Sequence, residues 1–343
     1  MLKIIRSTLL IFSLMLIPSC SQESGLTLSA DWQPEIISKW QDELPDMLVL
    51  SADEKTLFVS CEMVSSMLSP SLVRLNMETG DKEVLLYGLN RADGLKMDRH
   101  GDLWIGEETE DGLIVQISAP LTIPPEQRLD RMRLVSSHPD ITPILSAGRF
   151  SHEGMVFSKD GKYLYLADEW EEGCLYRFTL KTKLLEVYHS SKGWLRINTP
   201  IDARFKAEVL HGKYFNRLED MELLPDGRIV IAETGAGRIW ILDDRENKPT
   251  TMPMLSIYLE HADINHPDNL EWDQKRGWLW ITDDSSPSRL SAWDGKKMIQ
   301  IASHGFAEIT GVESSSDGSI YFNLQHNSFA PDLTVKIKNR PDK

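Results

Sequence analysis

The 343-residue sequence has little positive charge and few cysteines. Thirty-seven Lys and Arg residues stand against 52 Asp and Glu residues, which gives a formal net charge of -15. A surface this acidic repels a phosphate backbone, which argues against nucleic acid as a partner. Only three cysteines are present. Cys61 and Cys174 lie outside the N-terminal segment, and the sequence leaves open whether they form a disulfide or remain free thiols.

Several familiar catalytic motifs are also absent. The sequence has no Cys-x-x-Cys and no His-Glu-x-x-His, so the ligand spacing of common zinc sites is missing. It has no Gly-x-Ser-x-Gly nucleophile elbow and no glycine-rich loop that would cradle a phosphate. The acidic residues are therefore the main candidates for a functional site.

Long hydrophobic runs are missing except at the N-terminus. Lys3 and Arg6 precede an apolar stretch over residues 7–17, which is too short to span a bilayer and is typical of a signal peptide. The following Pro-Ser-Cys resembles the cleavage site of bacterial lipoproteins. We therefore expect residues 1–19 to be a lipoprotein signal peptide. An acylated Cys20 would then hold the exported protein on the lipid bilayer of the cell envelope, and the mature chain would carry a charge of -17.

Six irregular repeats follow, each with an apolar strand, a turn, a second apolar strand and acidic residues. Asp-Gly pairs form three of the turns, and this dipeptide is a strong hairpin signal. Repeats of this size built from several strands indicate the blades of a propeller. The second strands contain the apolar triplets 57–59, 103–105, 164–166, 229–231, 279–281 and 320–322. The sequence thus predicts an all-β protein, a six-bladed β-propeller.

The propeller is expected to occupy residues 34–343 as a single domain, after a tether and ring-closing strand over residues 20–33. Within that segment, residues 26–29 are predicted to close the last blade, because a closed ring must pair its edge strand. Insertions interrupt the repeats around residues 113–150 and 185–218, and residues 127–134 of the first are predicted to form a short helix.

The acids recur in register at one end of the repeats. Five of the six innermost strands begin with an acid, and the sixth has Thr310 at this position; the acids are Asp46, Asp93, Glu153, Glu219 and Asp268. The second strands end in a further acidic column: Glu62, Glu107-Glu108, Asp168-Glu169, Glu233 and Asp283-Asp284, with Gln325 in the last repeat. An antiparallel hairpin brings both columns to the same rim. Crowded carboxylates raise each other's pKa unless cations lie among them, and calcium prefers such oxygen ligands. The alternative is that these acids are solvated strand ends.

Several segments resemble the PhoX-type alkaline phosphatases. The similarity runs from about residue 88 to 327 and rests on motifs that occur in the same order. The matching segments are 149–153 (RFSHE), 165–169 (YLADE), 175–178 (LYRF), 217–220 (RLED), 266–270 (HPDNL) and 321–326 (YFNLQH).

This resemblance implies a six-bladed propeller that hydrolyses phosphomonoesters with calcium ions and an iron pair at its axis. By position, the resemblance implies that Glu108, Glu153, Asp168, Glu219 and Asp268 are metal ligands. The adjacent residues Glu107, Glu169, Asp220 and Asn269 are further candidates. Asp93 is also a candidate ligand, because it belongs to the acidic column described above. Arg91 stands where the family has a metal-binding cysteine, which argues against the iron pair.

The resemblance also suggests catalytic residues. Arg149 and Arg217 adjoin the motif acids and could each hold a phosphoryl oxygen, although structural salt bridges would explain them equally well. His152, like His326, could relay protons or be a hydrogen-bonded structural residue.

We expect the protein to be a monomer. Two functions other than phosphomonoester hydrolysis remain open for it. The segment 268–284, with the sequence DNLEWD followed by GWLWITDD, also resembles strands of paraoxonase-like and gluconolactonase-like propellers, which are calcium-dependent lactonases or arylesterases. A lipid-anchored propeller could alternatively bind a ligand or a partner protein without catalysis.

Overall fold

The computed structural model describes residues 25–64, 68–245 and 252–340. The predicted signal peptide and Cys20 lie outside these ranges. Six small antiparallel sheets follow one another along the chain and form a ring, so the prediction of a six-bladed β-propeller is confirmed. The Asp-Gly turns form as expected, and Gly161, Gly227 and Gly318 have φ values of 66°, 90° and 84°, which a Cβ atom would disfavour. None of the helices among the described residues is long and apolar enough to cross a membrane.

The strands are numbered in chain order. Blade 1 contains β3 (Pro45–Leu50), β4 (Thr56–Cys61), β5 (Pro70–Asn76) and β6 (Lys82–Tyr87), extended by β10 (Gln127–Asp130) and β11 (Val135–Ser136). Blade 2 contains β7 (Ala92–Met97), β8 (Leu103–Glu107), β9 (Ile114–Ile117) and β12 (Ile141–Pro143). Blade 3 contains β13 (His152–Phe157), β14 (Tyr163–Asp168), β15 (Gly173–Thr179), β16 (Leu184–His189) and β17 (Gly193–Ile197), with β18 (Tyr214–Phe215) paired to β15.

The second half of the ring is more regular. Blade 4 contains β19 (Leu218–Leu223), β20 (Ile229–Glu233), β21 (Arg238–Asp243) and β22 (Met254–Leu259). Blade 5 contains β23 (Pro267–Asp273), β24 (Trp278–Asp283), β25 (Ser288–Trp293) and β26 (Met298–His304), with β1 (Leu26–Leu28) at its edge. Blade 6 contains β27 (Glu308–Ser314), β28 (Ile320–Gln325), β29 (Asp332–Asn339) and β2 (Trp32–Trp40). The helical elements of the described chain are α1 (Ala203–Val209) and 3-10 turns at Leu145–Ala147, Pro200–Asp202 and Thr234–Ala236.

The ring closes differently from the prediction. The segment expected to close the last blade instead forms β1, which pairs with β26 in blade 5. The closing strand is β2, and it pairs with β29 over its whole length, from Trp32 opposite Asn339 to Trp40 opposite Asp332. Both tryptophans are buried. The longer apolar strand can bury more surface than a three-residue segment, so the predicted boundary at residue 34 falls inside the closing strand.

The insertion within blade 2, between β9 and β12, also differs from the prediction. Residues 127–134 do not form a helix, because Gln127–Asp130 pairs in parallel with the outer strand β6 and so extends blade 1. The insertion between blades 3 and 4 supplies α1, whose Ala203 and Ala207 pack on the core of blade 3.

Both remaining cysteines are buried free thiols. Cys61 packs in the core beside blade 1 and Cys174 in that of blade 3. Burial raises the pKa of both thiols, that of Cys174 to about 12. They are therefore protonated core residues at neutral pH.

The innermost strands bring their acids to the axis through a repeated irregularity. In blades 1 to 5 the pairing of the first two strands shifts by one residue just after the first pair, which is a β-bulge at the acid itself. Adjacent inner strands also touch backbone to backbone. A Cβ atom at Gly94 would lie 1.8 Å from the carbonyl oxygen of Glu153, and one at Gly154 would lie 2.2 Å from that of Glu219. The Asp93-Gly94 and Glu153-Gly154 dipeptides thus let three acids converge.

Candidate metal centre at the axial mouth

The axis opens at one end into a cavity of about 160 Å³, which we call the axial mouth. It lies where the innermost strands begin and the second strands end. Arg91, Arg217 and His326 line it together with Thr234 and Gln325. Its other described lining residues are all carboxylates: Asp46, Glu62, Asp93, Glu108, Glu153, Glu219, Asp268, Asp284 and Glu308. The predicted gathering of acids at one rim is therefore present in the structure.

Two groups of carboxylates have the geometry of a cation site, and they share one residue. Oxygen atoms of Asp93, Glu108 and Glu153 lie within 4.8 Å of one another, as do those of Glu153, Glu219 and Asp268. Asp93 is 97% buried, and its Oδ1 atom contacts no hydrogen-bond donor of the described chain. A buried carboxylate oxygen without a donor is costly unless a cation satisfies it. An all-oxygen set of this kind suits calcium, which accepts six to eight such ligands.

The carboxylates of the mouth have strongly perturbed acidity. Burial, followed by the charges of neighbouring carboxylates, raises the pKa of Asp46, Asp93, Glu153 and Asp268 well above its ordinary value. The same causes raise the pKa of Glu219 to about 8.

The glutamates at the edge of the mouth follow the same trend. Burial and the charge of Glu62 raise the pKa of Glu108 to about 8, and burial with Asp284 raises that of Glu308 to about 7. The protein alone therefore cannot ionise the whole set at neutral pH without a large penalty.

Two arginines partly compensate this charge. Arg91 forms ion pairs with Glu62 and Glu108, and Arg217 contacts Glu169 at 2.5 Å and Glu219 at 3.1 Å. Both residues directly precede an inner strand and have positive φ values, 48° and 58°. Such strained conformations often occur at functional sites. The two arginine side chains are about two-fifths exposed, and both line the mouth at its open side.

His326 provides a titratable group at the same opening. Its Nε2 atom lies 3.8 Å from Oε2 of Glu62. The interaction with Glu62 raises the pKa of His326, although burial acts in the opposite direction. Burial opposes ionisation of Glu62 too, but His326 and Arg91 lower the pKa of that carboxyl. This histidine can therefore carry a proton beside the mouth near neutral pH.

The last residues of the second strands have a different environment. Glu107 pairs with Arg131, Asp168 with Arg204 at 2.6 Å and Glu233 with Arg238 at 2.6 Å, while Asp283 accepts hydrogen bonds from the backbone of Asn265 and His266. We call Glu107, Asp168, Glu233 and Asp283 the outer column. The inner column comprises Asp46, Asp93, Glu153, Glu219 and Asp268. The outer column anchors loops and blades and does not line the mouth.

The structure thus brings together some of the predicted metal ligands and separates others. Asp93, Glu108, Glu153, Glu219 and Asp268 meet at the mouth. Glu107 and Asp168 belong to the outer column.

Three further candidates also have protein partners. Glu169 is held by Arg217, and Asp220 accepts bonds from the backbone of Met221 and Leu270. Asn269 bonds to Gly311, Thr282 and Asp268, so its amide fixes strands and does not face the cavity.

Of the residues for which the sequence suggested a catalytic role, Arg217 and His326 line the mouth, whereas Arg149 and His152 do not. Arg149 donates to the backbone and carboxylate of Asp111, beside α1. His152 is fully buried, with its ring 3.9 Å from that of Phe150 and Nε2 3.3 Å from the carbonyl oxygen of Gly148. Burial lowers the pKa of His152 to about 3, so it stays neutral. The structure therefore places both residues outside the axial mouth.

The repeat count missed Glu308. Thr310 occupies the predicted position in the last blade, but the bulge there falls between Thr310 and Val312, and Glu308 lies opposite Gln325 at the mouth. A direct count from Gln325 back across the hairpin would have found it.

A second ionic cluster lies farther along the inner strands and was not predicted. Lys96 contacts Glu222 at 3.0 Å, and the charges of Asp220, Glu222, Glu271 and Glu313 raise its pKa against the effect of burial. The cation of this cluster is a lysine that the surrounding carboxylates enclose, whereas the arginines of the mouth lie at its open side.

No protein-family model and no curated protein sequence matches this chain. Solved structures with the same fold do match. A gluconolactonase from Xanthomonas campestris superimposes with a TM-score of 0.60 at 12% identity, over 91% of both chains. A putative gluconolactonase gives a TM-score of 0.57 at 10% identity, over 94% of this chain and 97% of the other. A catalytically inactive virginiamycin B lyase from Staphylococcus aureus, with quinupristin, gives 0.51 at 12% identity, over 90% and 100%.

These similarities concern the fold, because the identities are low and one fold supports different reactions. The two named activities already differ, since one protein is a lactonase and the other a lyase. The similar structures include gluconolactonases and give no support to the phosphatase resemblance.

Proposed function

We propose that this chain is a calcium-dependent hydrolase of lactones or aryl esters, with its active site at the axial mouth. The observation that carries this proposal is the charge of the mouth together with its two carboxylate groups around Glu153. Nine carboxylates face two guanidinium groups there. The set has the oxygen ligands and the buried, partnerless Asp93 oxygen that a calcium site requires.

Asp93, Glu108, Glu153, Glu219 and Asp268 would hold the cation. When bound, calcium acts as a Lewis acid that polarises a carbonyl oxygen and lowers the pKa of water. Glu153 belongs to both carboxylate groups and therefore orients them relative to each other.

The other residues of the mouth position the substrate and a proton. Arg91 and Arg217 line the mouth and are held by carboxylates, so a substrate would meet their guanidinium groups in a largely fixed position. His326 can hold or release a proton at Nε2 under the control of Glu62.

The charge balance favours a neutral substrate. With all nine carboxylates ionised, two divalent cations and two arginines would supply six positive charges against nine negative ones, so the mouth would still be negative. A phosphomonoester dianion would meet this excess charge, whereas a lactone or ester carbonyl is neutral and would not be repelled. The gluconolactonases with the same fold are consistent with this substrate class.

A phosphomonoesterase is the second candidate, because two carboxylate groups that share Glu153 could hold two cations side by side. Paired cations with arginines at the opening are an arrangement that stabilises phosphoryl oxygens. A phosphomonoesterase would need a mouth of positive potential. More bound cations, or protons on some of the carboxylates, would have to supply that charge.

Elemental analysis of the purified protein, followed by assays on a lactone, an aryl ester and an aryl phosphate, distinguishes these functions. We expect bound calcium, hydrolysis of the lactone or the aryl ester, and loss of that activity on chelation. Glu153→Gln should lower the rate by at least about 100-fold, since it removes a ligand of both groups. The matched control is Glu260→Gln, an exposed carboxylate at the end of blade 4, which should keep the wild-type rate.

Each other outcome has a clear meaning. Phosphate release with no lactone or ester hydrolysis would establish the second candidate and reject the first. Calcium binding without turnover of any of the three substrates would favour the non-enzymatic binding propeller. An unchanged rate in Glu153→Gln would remove the mouth as the active site.

A further inference from the structure

The face of the propeller that carries the axial mouth also carries large exposed apolar side chains. Ile201, Phe205 and Val209 are spaced by four residues along the 3-10 turn and α1, and 61%, 59% and 56% of their surfaces are exposed. This spacing places them on one side of the helical segment, opposite the buried Ala203 and Ala207. The helix therefore has one apolar side in the core and a second apolar side in solvent.

The position of α1 is fixed by an ion pair at the mouth end of blade 3. Arg204 of α1 bonds to Asp168, the last residue of β14, and its guanidinium lies 4.6 Å from the ring of Trp170. Trp170 is itself 46% exposed and shares a surface cavity of about 450 Å³ with Ile201 and Phe205. The exposed apolar side of α1 is thus held at the level of the mouth.

A second apolar patch lies across the mouth on the same face. Phe306 and Phe329 are 68% and 78% exposed, and their rings are in contact at a centroid distance of 5.0 Å. They lie on the loops that follow β26 and β28, and both strands end at the mouth face. Two contacting phenylalanines in solvent expose apolar surface that ordinary folding would bury.

The opposite face differs. Leu121 lies in the loop after β9 and Met254 begins the outer strand β22, at the end of the propeller that carries the Asp-Gly turns. Of the large apolar side chains that are exposed in the described chain, these two lie toward that opposite end. The exposed apolar surface is thus concentrated on the mouth face, which is where a partner would cover it.

The chain leaves the propeller beside the second apolar patch. Leu26 pairs with His304, and a Cβ atom on Gly25 would lie 2.9 Å from the ring of His304. The same ring accepts hydrogen bonds from the backbone of Phe306 and Ala307. Gly25 therefore lies at the mouth face, close to Phe306.

We propose that the mouth face docks on the surface of a lipid bilayer through Trp170, Ile201, Phe205, Val209, Phe306 and Phe329. The sequence predicts acylation at Cys20, five residues before Gly25, and five extended residues reach about 18 Å at ~3.6 Å each. That tether would hold this face, and not the opposite one, against the membrane. Exposed aromatic and aliphatic side chains around a rim are suited to the interfacial region. The proposal concerns the surface and holds whatever reaction the mouth performs.

Single-site labelling of the full chain tests this orientation. Phe205→Cys, Phe306→Cys and Leu121→Cys each add one exposed thiol, while Cys61 and Cys174 are buried and react slowly. Each variant is labelled with an environment-sensitive dye and reconstituted into phosphatidylcholine vesicles with or without brominated acyl chains. Bromine quenches only dyes that reach the acyl region. We expect quenching at positions 205 and 306 to exceed that at position 121 at least about threefold.

The remaining outcomes overturn the proposal. Equal quenching at all three positions would mean that the anchor holds the propeller without orientation. No quenching at positions 205 and 306 would mean that another partner, such as a second copy of the chain, covers this face. Should labelling at position 205 disturb the fold, Phe329→Cys tests the same face from a loop that contributes little to the core.

Discussion

The inner and outer columns of acids lie at the same end of the blades and have different surroundings. In blade 3, His152 pairs with Asp168 of the outer column, and the next residue along the inner strand is Glu153. Arg204 neutralises Asp168, while Glu153 faces other carboxylates and two candidate cation groups. Blades 2 and 4 repeat this contrast with Arg131 and Arg238. The role of a buried carboxylate is thus set by its partner and not by its residue type.

The local backbone determines which column an acid joins. The bulge at the start of each inner strand turns the inner acid toward the axis, while the regular end of the second strand keeps the outer acid beside its own blade. Gly94 and Gly154 then allow neighbouring inner strands to approach until their acids converge. A residue with a side chain at either glycine would separate the inner acids and leave the outer column unchanged.

The pH dependence of stability should show the largest difference between the columns. In the calcium-free protein, burial raises the pKa of the inner carboxyls, that of Glu219 from about 4.5 to about 8. Folded molecules therefore keep protons that unfolded chains release between these pH values. Stability is fully present below pH 4.5 and is lost as the pH rises toward 8, by about 1.4 kcal/mol per pH unit for each such proton.

Urea denaturation in chelator at pH 5 and pH 8 measures this effect, and the free energy of unfolding should fall between them. Glu219→Gln removes one titrating group and should flatten the dependence, whereas calcium should reverse it because binding releases the same protons. A stability that rises over this window in chelator would contradict the assigned pKa shifts.

Loss of an outer acid should be the next largest effect. Asp168→Ala leaves Arg204 without its buried partner, and breaking such a pair costs 3–5 kcal/mol. We expect about 3 kcal/mol, because a quarter of the Arg204 side chain is exposed. Calcium affinity, measured on folded protein by calorimetry, should not change. A free energy of unfolding within about 1 kcal/mol of the wild type would show that the outer column does not anchor the blades.

Loss of an inner acid should change the free energy of unfolding in the opposite direction to loss of an outer acid. At pH 8 in chelator, Glu153→Gln removes a buried carboxylate that forms no ion pair with the described residues, so the free energy of unfolding should rise by about 1–2 kcal/mol. The same variant should lose most of the increase in melting temperature that calcium gives the wild-type protein. Thermal denaturation with and without calcium measures both quantities, and Glu260→Gln serves as the control. Destabilisation in chelator would place Glu153 with the structural carboxylates.

Much of this contrast could be predicted from the sequence. The apolar triplets and Asp-Gly turns indicated six blades, and counting back from each turn located the five inner acids, because strand pairing fixes which residues share a level. The partners of the outer acids could not be predicted in this way. Arg131 and Arg204 lie on insertions that have no register with the repeats, so nothing in the periodicity connects them to Glu107 and Asp168.

The ring closure and the role of His152 could not be predicted for a related reason. The segments that form β1 and β2 could both pair with the open edge of blade 6. The total area that each segment buries decides between them, and a motif of a few residues does not reveal that area. His152 stands next to a functional acid in sequence, but alternate residues of a strand point to opposite faces. Its ring therefore enters the core beside Phe150 while Glu153 faces the axis.

The smallest predicted effect concerns Arg217, the cation that contacts both Glu169 and the inner acid Glu219. In the calcium-free protein this arginine competes with a cation for Glu219. Arg217→Gln removes that competitor, and a partly exposed ion pair contributes up to about 1 kcal/mol, so calcium should bind about two- to fivefold more tightly. Titration calorimetry measures this change. The matched control is Arg238→Gln, which removes the partner of Glu233 in the outer column; its melting temperature should fall while its calcium affinity stays the same. Tighter calcium binding in both variants would mean that calcium affinity depends on the net charge of the whole rim. The two columns would then differ in position but not in their effect on calcium binding.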